Sequence, residues 1–153
     1  MNFLKLLFAC LCVVYSGCKS SENTSSANKL DAVCAPIIDD FFKKMEANNY
    51  KAALDNLLSS NENIDLKDSA TLLMKSRFAE INQLSGAYKG RSLLKKRNIN
   101  DDIAIYSYLS KYDKKFYRFV FVFYNNGTTT KIYKFLFDDT VEIEIEESLK
   151  LYI

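Results

Sequence analysis

The chain has no histidine among its 153 residues, a single proline and only four glycines. The first absence excludes the most chemistry. Without imidazole there is no Ser-His-Asp or Cys-His nucleophile, no His-ligated zinc or iron, and no side chain that ordinarily titrates near neutrality. An excess of one charge sign is also missing, since 21 Lys and Arg meet 19 Asp and Glu for a net charge of +2. Nucleic-acid binders neutralise phosphates with surplus lysine and arginine, so this balance argues against that class. What the chain does hold is apolar surface, with 48% hydrophobic and 14% aromatic residues. That composition excludes a disordered chain, and the length suits one domain with one core of ordinary size.

Residues 1–17, MNFLKLLFACLCVVYSG, place Lys5 before an apolar run from Leu6 to Val14 and end in the small residues Ser16 and Gly17. This is the pattern of a secretory signal. The run is shorter than the about 20 apolar residues of a spanning helix, and polar sequence follows it. The segment's end, Tyr15-Ser16-Gly17-Cys18, resembles the lipobox of bacterial lipoproteins, with Tyr15 where leucine is commonest. The resemblance implies cleavage before Cys18 and lipid on that cysteine. It also implies an address in the bacterial cell envelope, such as the outer membrane, facing the periplasm or the cell surface. Acyl chains such as palmitate contribute about 0.8 kcal/mol per buried methylene, so several anchor a protein without electrostatic help. Residues 18–29, rich in Ser and Asn, have the composition of a flexible tether, which leaves 30–153 as a single domain. Cys10 and Cys12 fall in the signal, so Cys34 stands without an internal disulfide partner. Among Val33, Ile37 and Ile38 it reads as a small buried hydrophobe rather than a reactive thiol.

From Leu30 the apolar positions Leu30, Val33, Ile37, Ile38, Phe41 and Met45 step by three and four, the spacing of an amphipathic helix. Pro36 lies inside this pattern. Either the helix begins near Ala35 with Pro36 in its first turn, or Leu30 to Cys34 forms a separate turn. Tyr50, Ala53, Leu54, Leu57 and Leu58 predict a second helix. Asp68 caps a third, with Leu72, Phe78, Ile81 and Leu84 as its apolar face and Gly86 at its end. Beyond Gly90 the period changes to two, and IAIYSYLSKY, KFYRFVFVFY and TTKIYKFLF read as strands. Lys95, Lys96 and Arg97 mark segment 91–99 as a solvated edge strand. A three-residue loop at Asn125-Asn126-Gly127, with Gly127 in the left-handed region, would pair Phe123 with Thr129, Phe119 with Tyr133 and Tyr117 with Phe135. Val120 with Ile132 and Arg118 with Lys134 would share the other face. In TVEIEIEESLKLYI, Val141, Ile143 and Ile145 alternate like a strand, while Val141, Ile145 and Leu149 fit a helical stripe; the helix is favoured. The acidic residues here lack the alternating ligands and internal glycine of a calcium loop, so neither metal nor cofactor is expected.

Helices followed by a twisted antiparallel sheet is the element order of the cystatin-like cone of the nuclear-transport-factor-2-like superfamily. The run Tyr50-Lys51-Ala52-Ala53 resembles a segment of its small secreted members, and Gly86-Ala87-Tyr88-Lys89-Gly90 resembles their link into the sheet. The resemblance implies an α+β fold with N-terminal helices on the concave face of about four strands, and a pocket at the wide end of the cone. Enzymes of the superfamily such as ketosteroid isomerase place an Asp base and a Tyr or acidic donor there. In this chain Asp101, Asp102, Asp113, Asp138 and Asp139 all fall at strand ends, so no catalytic residue is expected. The expected function is a non-catalytic, lipid-anchored binding module for a small apolar ligand, peptide or glycan. Tyr106, Tyr108, Phe119, Phe121, Tyr133 and Phe135 are its candidate lining, and plain core is the competing reading of the same rings. A structural or protein-interaction component of the envelope without a pocket is the alternative, and an isomerase-like enzyme the third. The expected partners are the membrane, through the lipid, and a small ligand or envelope protein, with no nucleic acid and the oligomeric state left open.

Replacing Cys18 by alanine is expected to move the protein from the detergent phase to the aqueous phase on phase separation. Equal retention of Cys18→Ala in salt-washed membranes would contradict the anchor.

Overall fold

A computed structural model describes residues 24–141, with side chains from Lys29 onward. Three helices, α1 (Thr24–Glu46), α2 (Tyr50–Ser59) and α3 (Ser69–Leu84), precede four strands, β1 (Tyr88–Ile99), β2 (Ile103–Tyr112), β3 (Phe116–Asn125) and β4 (Thr130–Asp138). The strands form one open antiparallel sheet in chain order, so the α+β architecture is as expected. β1 lies at its edge, where its lysines and arginine placed it.

Helix α1 corrects two expectations. It begins at Thr24, inside the segment read as tether, and it runs through Pro36 without a break in assignment. Proline lacks the N–H that would bond the Ala32 carbonyl, and in a helix interior it costs about 3 kcal/mol. Ala32 and Pro36 are both exposed, so the carbonyl that loses its donor lies on the solvent side of the helix, where its desolvation cost is small. On the opposite side Leu30, Cys34, Ile38, Phe41, Phe42 and Met45 are buried, and that burial offsets the loss. Val33, expected in the apolar stripe, faces solvent, while Cys34 is fully buried as expected.

Asn49 caps α2, which buries Ala53, Leu54, Leu57 and Leu58. Asp68 caps α3 as predicted, its carboxylate accepting the N–H groups of Ala70 and Thr71. The predicted apolar face of α3 is wrong in part, because Leu72 and Leu84 are 51% and 60% exposed. Only a narrow i, i+4 line, Phe78 and Asn82, is fully turned inward, with Met74 and Ile81 partly buried beside it. Gly86 follows the helix with φ of 81°, and a Cβ there would lie 2.9 Å from the Asp113 side chain, so both conformation and space call for glycine.

The inner face of the sheet carries Ala104, Tyr106, Ser110 and Tyr112 from β2, Tyr117, Phe119, Phe121 and Phe123 from β3, and Ile132 and Phe135 from β4, all buried. The Phe41 ring lies 6.1 Å from Phe119, 5.3 Å from Phe121, 5.3 Å from Phe135 and 6.0 Å from Phe78, centroid to centroid. Phe42 stacks on Phe119 at 6.3 Å and meets Phe121 edge-on at 5.7 Å. These separations are those of rings in contact.

The β3–β4 hairpin differs from expectation in register. Asn125 pairs with Thr130 across the turn, Phe119 with Phe137 and Phe121 with Phe135. Asparagine side chains account for the longer loop: Asn125 accepts the Gly127 N–H, and Asn126 accepts those of Thr128 and Thr129. Gly127 has the expected positive φ, 88°. Farther from the turn the displacement is even-numbered, so the phenylalanine rows still share one face, as inferred. Nearer the turn a bulge intervenes: Val122 faces Lys134 and Phe123 faces Ile132, leaving Tyr133 as the extra residue. Ile132 therefore points into the core instead of the outer face, and Tyr133 is 68% exposed.

The outer face carries half-buried Ile103, Ile105, Leu109, Val120 and Val122. At its lower corner Arg118 pairs with Asp138 at 2.9 Å and bonds Thr140, and Val141 is buried. The helix expected from Val141 onward falls on residues 142–153, outside the described residues.

Truncating Phe41 or Phe119 to alanine is expected to cost about 3–5 kcal/mol of stability in denaturant unfolding. A loss below about 1 kcal/mol at either position would mean the rings are not packed as described.

Candidate binding groove

The six aromatic residues singled out from the sequence do not form one site. Phe119 and Phe121 are fully buried, Tyr106 and Phe135 nearly so, and Tyr108 is half-buried. Phe41 and Phe42 fill the space over this group, with Tyr108 5.1 Å from Phe42 and 6.0 Å from Phe121. The five rings belong to the core, and Phe41 and Phe42 rest directly on four of them, Tyr108, Phe119, Phe121 and Phe135. Tyr133, the sixth, stands outside the core altogether because of the bulge.

The β1 side of the core is covered by cations. The Arg91 guanidinium lies 4.3 Å from the centre of Phe42 and 5.3 Å from that of Tyr108, and pairs with Asp39. Lys96 lies 5.8 Å from the Tyr106 ring and pairs with Asp31, whose carboxylate also accepts the Tyr106 hydroxyl. Partial burial pushes the Asp31 carboxyl upward. The hydrogen bonds from Lys96 and Tyr106 and the Lys96 charge outweigh it, so the group sits below the ordinary carboxylate range. Burial, helped by the bond to Asp31, raises the Tyr106 hydroxyl. Burial also raises the Cys34 thiol, to about 11, against the smaller effect of a hydrogen bond with Tyr106. Asp31 was not singled out from the sequence, because no strand pattern reveals a helix carboxylate that meets a tyrosine so far along the chain. At the far end of the sheet the Tyr112 hydroxyl donates to Asn82 at 2.7 Å, and the Ser85 and Tyr117 hydroxyls bond at 2.9 Å.

A cavity of about 380 Å³ opens where the α2–α3 connection meets the β3–β4 hairpin. Its apolar lining is Ile64, partly buried, and Ile132, fully buried, and its aromatic lining is the exposed Tyr124 and Tyr133. Asn61, Asn63, Asn126 and Thr129 supply amides and a hydroxyl at the rim. Asn61 donates to the Ile132 carbonyl at 2.8 Å, beside the bulge, and accepts the Asn63 N–H at 3.0 Å. That side chain therefore ties the helical connection to β4. Lys131 pairs with Glu62, and this bond and charge hold the Glu62 carboxyl low. Among the described residues nothing bonds the Asn63 side-chain amide or the hydroxyls of Tyr124 and Tyr133. The sequence reading missed this groove because its residues come from two loops and two strand ends with no shared period. The available signals were Asn61-Glu62-Asn63 and Asn125-Asn126-Gly127, two asparagine-rich turns.

A smaller cleft of about 270 Å³ lies between α2 and α3, walled by Tyr50, Leu54, Phe78 and Ala79 and crossed by the Asp55–Lys75 pair at 2.8 Å. Among the described residues no three carboxylate or thiol groups gather as metal ligands, and no helix is long and apolar enough to cross a membrane. Compared with protein-family models, with curated proteins and with solved structures, the chain matches none.

The depressed Asp31 carboxyl makes a pH-dependent contribution to stability. A group whose pKa is lower in the folded state stabilises above its unfolded value, about 3.9, and loses that effect as pH falls through the folded one. Asp31→Asn is therefore expected to lower the unfolding midpoint at pH 7, with the gap to wild type closing towards pH 3. A gap that stays constant across this range would show that the ion pair is not its source.

Proposed function

We propose that this protein is a non-catalytic binding module held on the bacterial cell envelope by lipid at Cys18, and that it takes its ligand in the groove beside the β3–β4 hairpin. The observation that carries this reading is the groove's composition. Two exposed tyrosines and an unengaged asparagine amide converge on a cavity whose volume lies within the range of ligand sites, about 300–1,000 Å³. The filled aromatic face supports placing the ligand outside the core. The state of the buried polar groups supports binding over proton transfer, since Asp31 is ion-paired with Lys96 and the Cys34 thiol is raised to about 11. The order of elements, helices before four antiparallel strands, supports a place in the cystatin-like group.

A second reading, a surface that meets an envelope protein, is favoured by one observation. Phe116, Tyr124 and Leu136 are exposed large hydrophobic residues on the outer face of the sheet. Self-association or capture through this face would be weakened by Phe116→Ser, and unchanged behaviour on sedimentation would remove it.

The groove is tested by screening small polar-aromatic and polyhydroxyl fragments while following backbone amide signals by NMR. Shifts are expected to cluster at Asn63, Thr129 and Tyr133 and to vanish in Tyr133→Ala. Responses confined to other regions, or none, would overturn the reading.

A further inference from the structure

We infer that the groove is built for a neutral glycan carrying acetamido groups, that is, for N-acetylhexosamine units; this rests on the groove being the binding site. Several features of the site lead there. Tyr124 and Tyr133 present flat apolar bodies with hydroxyl tips, the surface on which the C–H face of a pyranose ring rests while its hydroxyls are bonded at the edge. A side-chain amide offers a donor and an acceptor together, so Asn63 matches both sugar hydroxyls and the amide of an acetamido group.

The floor narrows the class. Ile64, partly accessible and backed by the fully buried Ile132, makes a small apolar base beside the polar lining residues. An unsubstituted hexose carries only a hydroxyl at its second carbon, which would lose water against such a base without gaining a partner. The methyl of an acetamido group fills such a base while its N–H and carbonyl stay level with the asparagines.

Charge points the same way. The one lysine lining the groove, Lys131, is paired with Glu62, so the rim offers no unbalanced cation to a phosphate or carboxylate. Pre-organisation is also present. Asn61 holds the Ile132 carbonyl, and Asn126 holds two turn amides, so the walls are fixed before a ligand arrives. The bulge is the device that sets Tyr133 outward, the kind of re-aiming that bulges provide beside binding sites.

The test is calorimetric titration of the full-length lipoprotein, in a detergent without sugar groups, with chitotetraose, cellotetraose and fully deacetylated chitotetraose. These three share one β-linked backbone and differ at the second carbon. Chitotetraose is expected to bind about tenfold or more tightly than the other two, the scale of one well-buried methyl with its amide bonds. Tyr133→Ala, at an exposed position that leaves the core intact, is expected to reduce chitotetraose affinity about tenfold. Ile64→Ala is expected to shrink the preference over cellotetraose. Equal affinity for chitotetraose and cellotetraose would overturn the acetamido assignment while leaving a glycan groove. Absence of chitotetraose binding, with fragments still mapping to the groove, would overturn the glycan and keep the site. Undiminished binding in Tyr133→Ala would overturn both.

Discussion

The insertion of Phe41 and Phe42 into the inner face of the sheet is the contact on which the remaining architecture depends. Adjacent residues on a helix point about 100° apart, so two neighbouring phenylalanines can both be buried only if the sheet wraps enough of the helix to receive both. It does so with Phe119 and Phe121 at the centre, Phe135 on one side and Tyr108 on the other. That demand explains why α1 continues through Pro36. Breaking the helix there would free the Ala32 carbonyl more fully, yet would uncouple Leu30 and Cys34 from the register that seats the phenylalanines. It also explains why the centre of the aromatic face is covered by helix side chains.

Near-neutral net charge has a local counterpart in this structure. Acidic residues of α1 meet basic residues of β1, in the pairs Asp31–Lys96 and Asp39–Arg91, and other pairs tie α2 to α3 and the hairpin to the helical connection. Ion pairs at such accessible sites contribute about 0–1 kcal/mol each, far below the burial of one phenylalanine. Their effect is on placement: Arg91 and Lys96 lay cationic heads and long stems across rings that an edge strand would otherwise leave open to water.

Legibility in the sequence followed the range of the interaction. The Asp68 cap, the positive φ at Gly127 and the basic edge strand are decided within a few residues, and each stands where the sequence put it. The face of the phenylalanine rows was legible for the same reason, as alternation survives an even displacement of register. Ile132 was misplaced because the loop is longer than expected by an odd number of residues, and Tyr133 because the bulge that restores the alternation beyond it has no local signature. Leu72 and Leu84 were misread because an apolar period reports what a helix could bury, whereas α3 meets the core along Phe78 and Asn82 with Met74 and Ile81 partly buried beside them. The groove was the least legible of all, since it exists only after two asparagine-rich loops are brought together.

The helix that closes the core is the first element made, and β4, against which Phe41 rests, is the last of the described strands. Until β4 has paired, Phe41 lacks the Phe135 side of its seat, whereas Phe42 rests on β1, β2 and β3. The contact of Phe41 with Phe135 joins residues far apart in the chain, so loop-closure entropy opposes it, whereas the strands pair with their neighbours in sequence. The first of the described helices thus reaches its final packing only when the last of the described strands is in place.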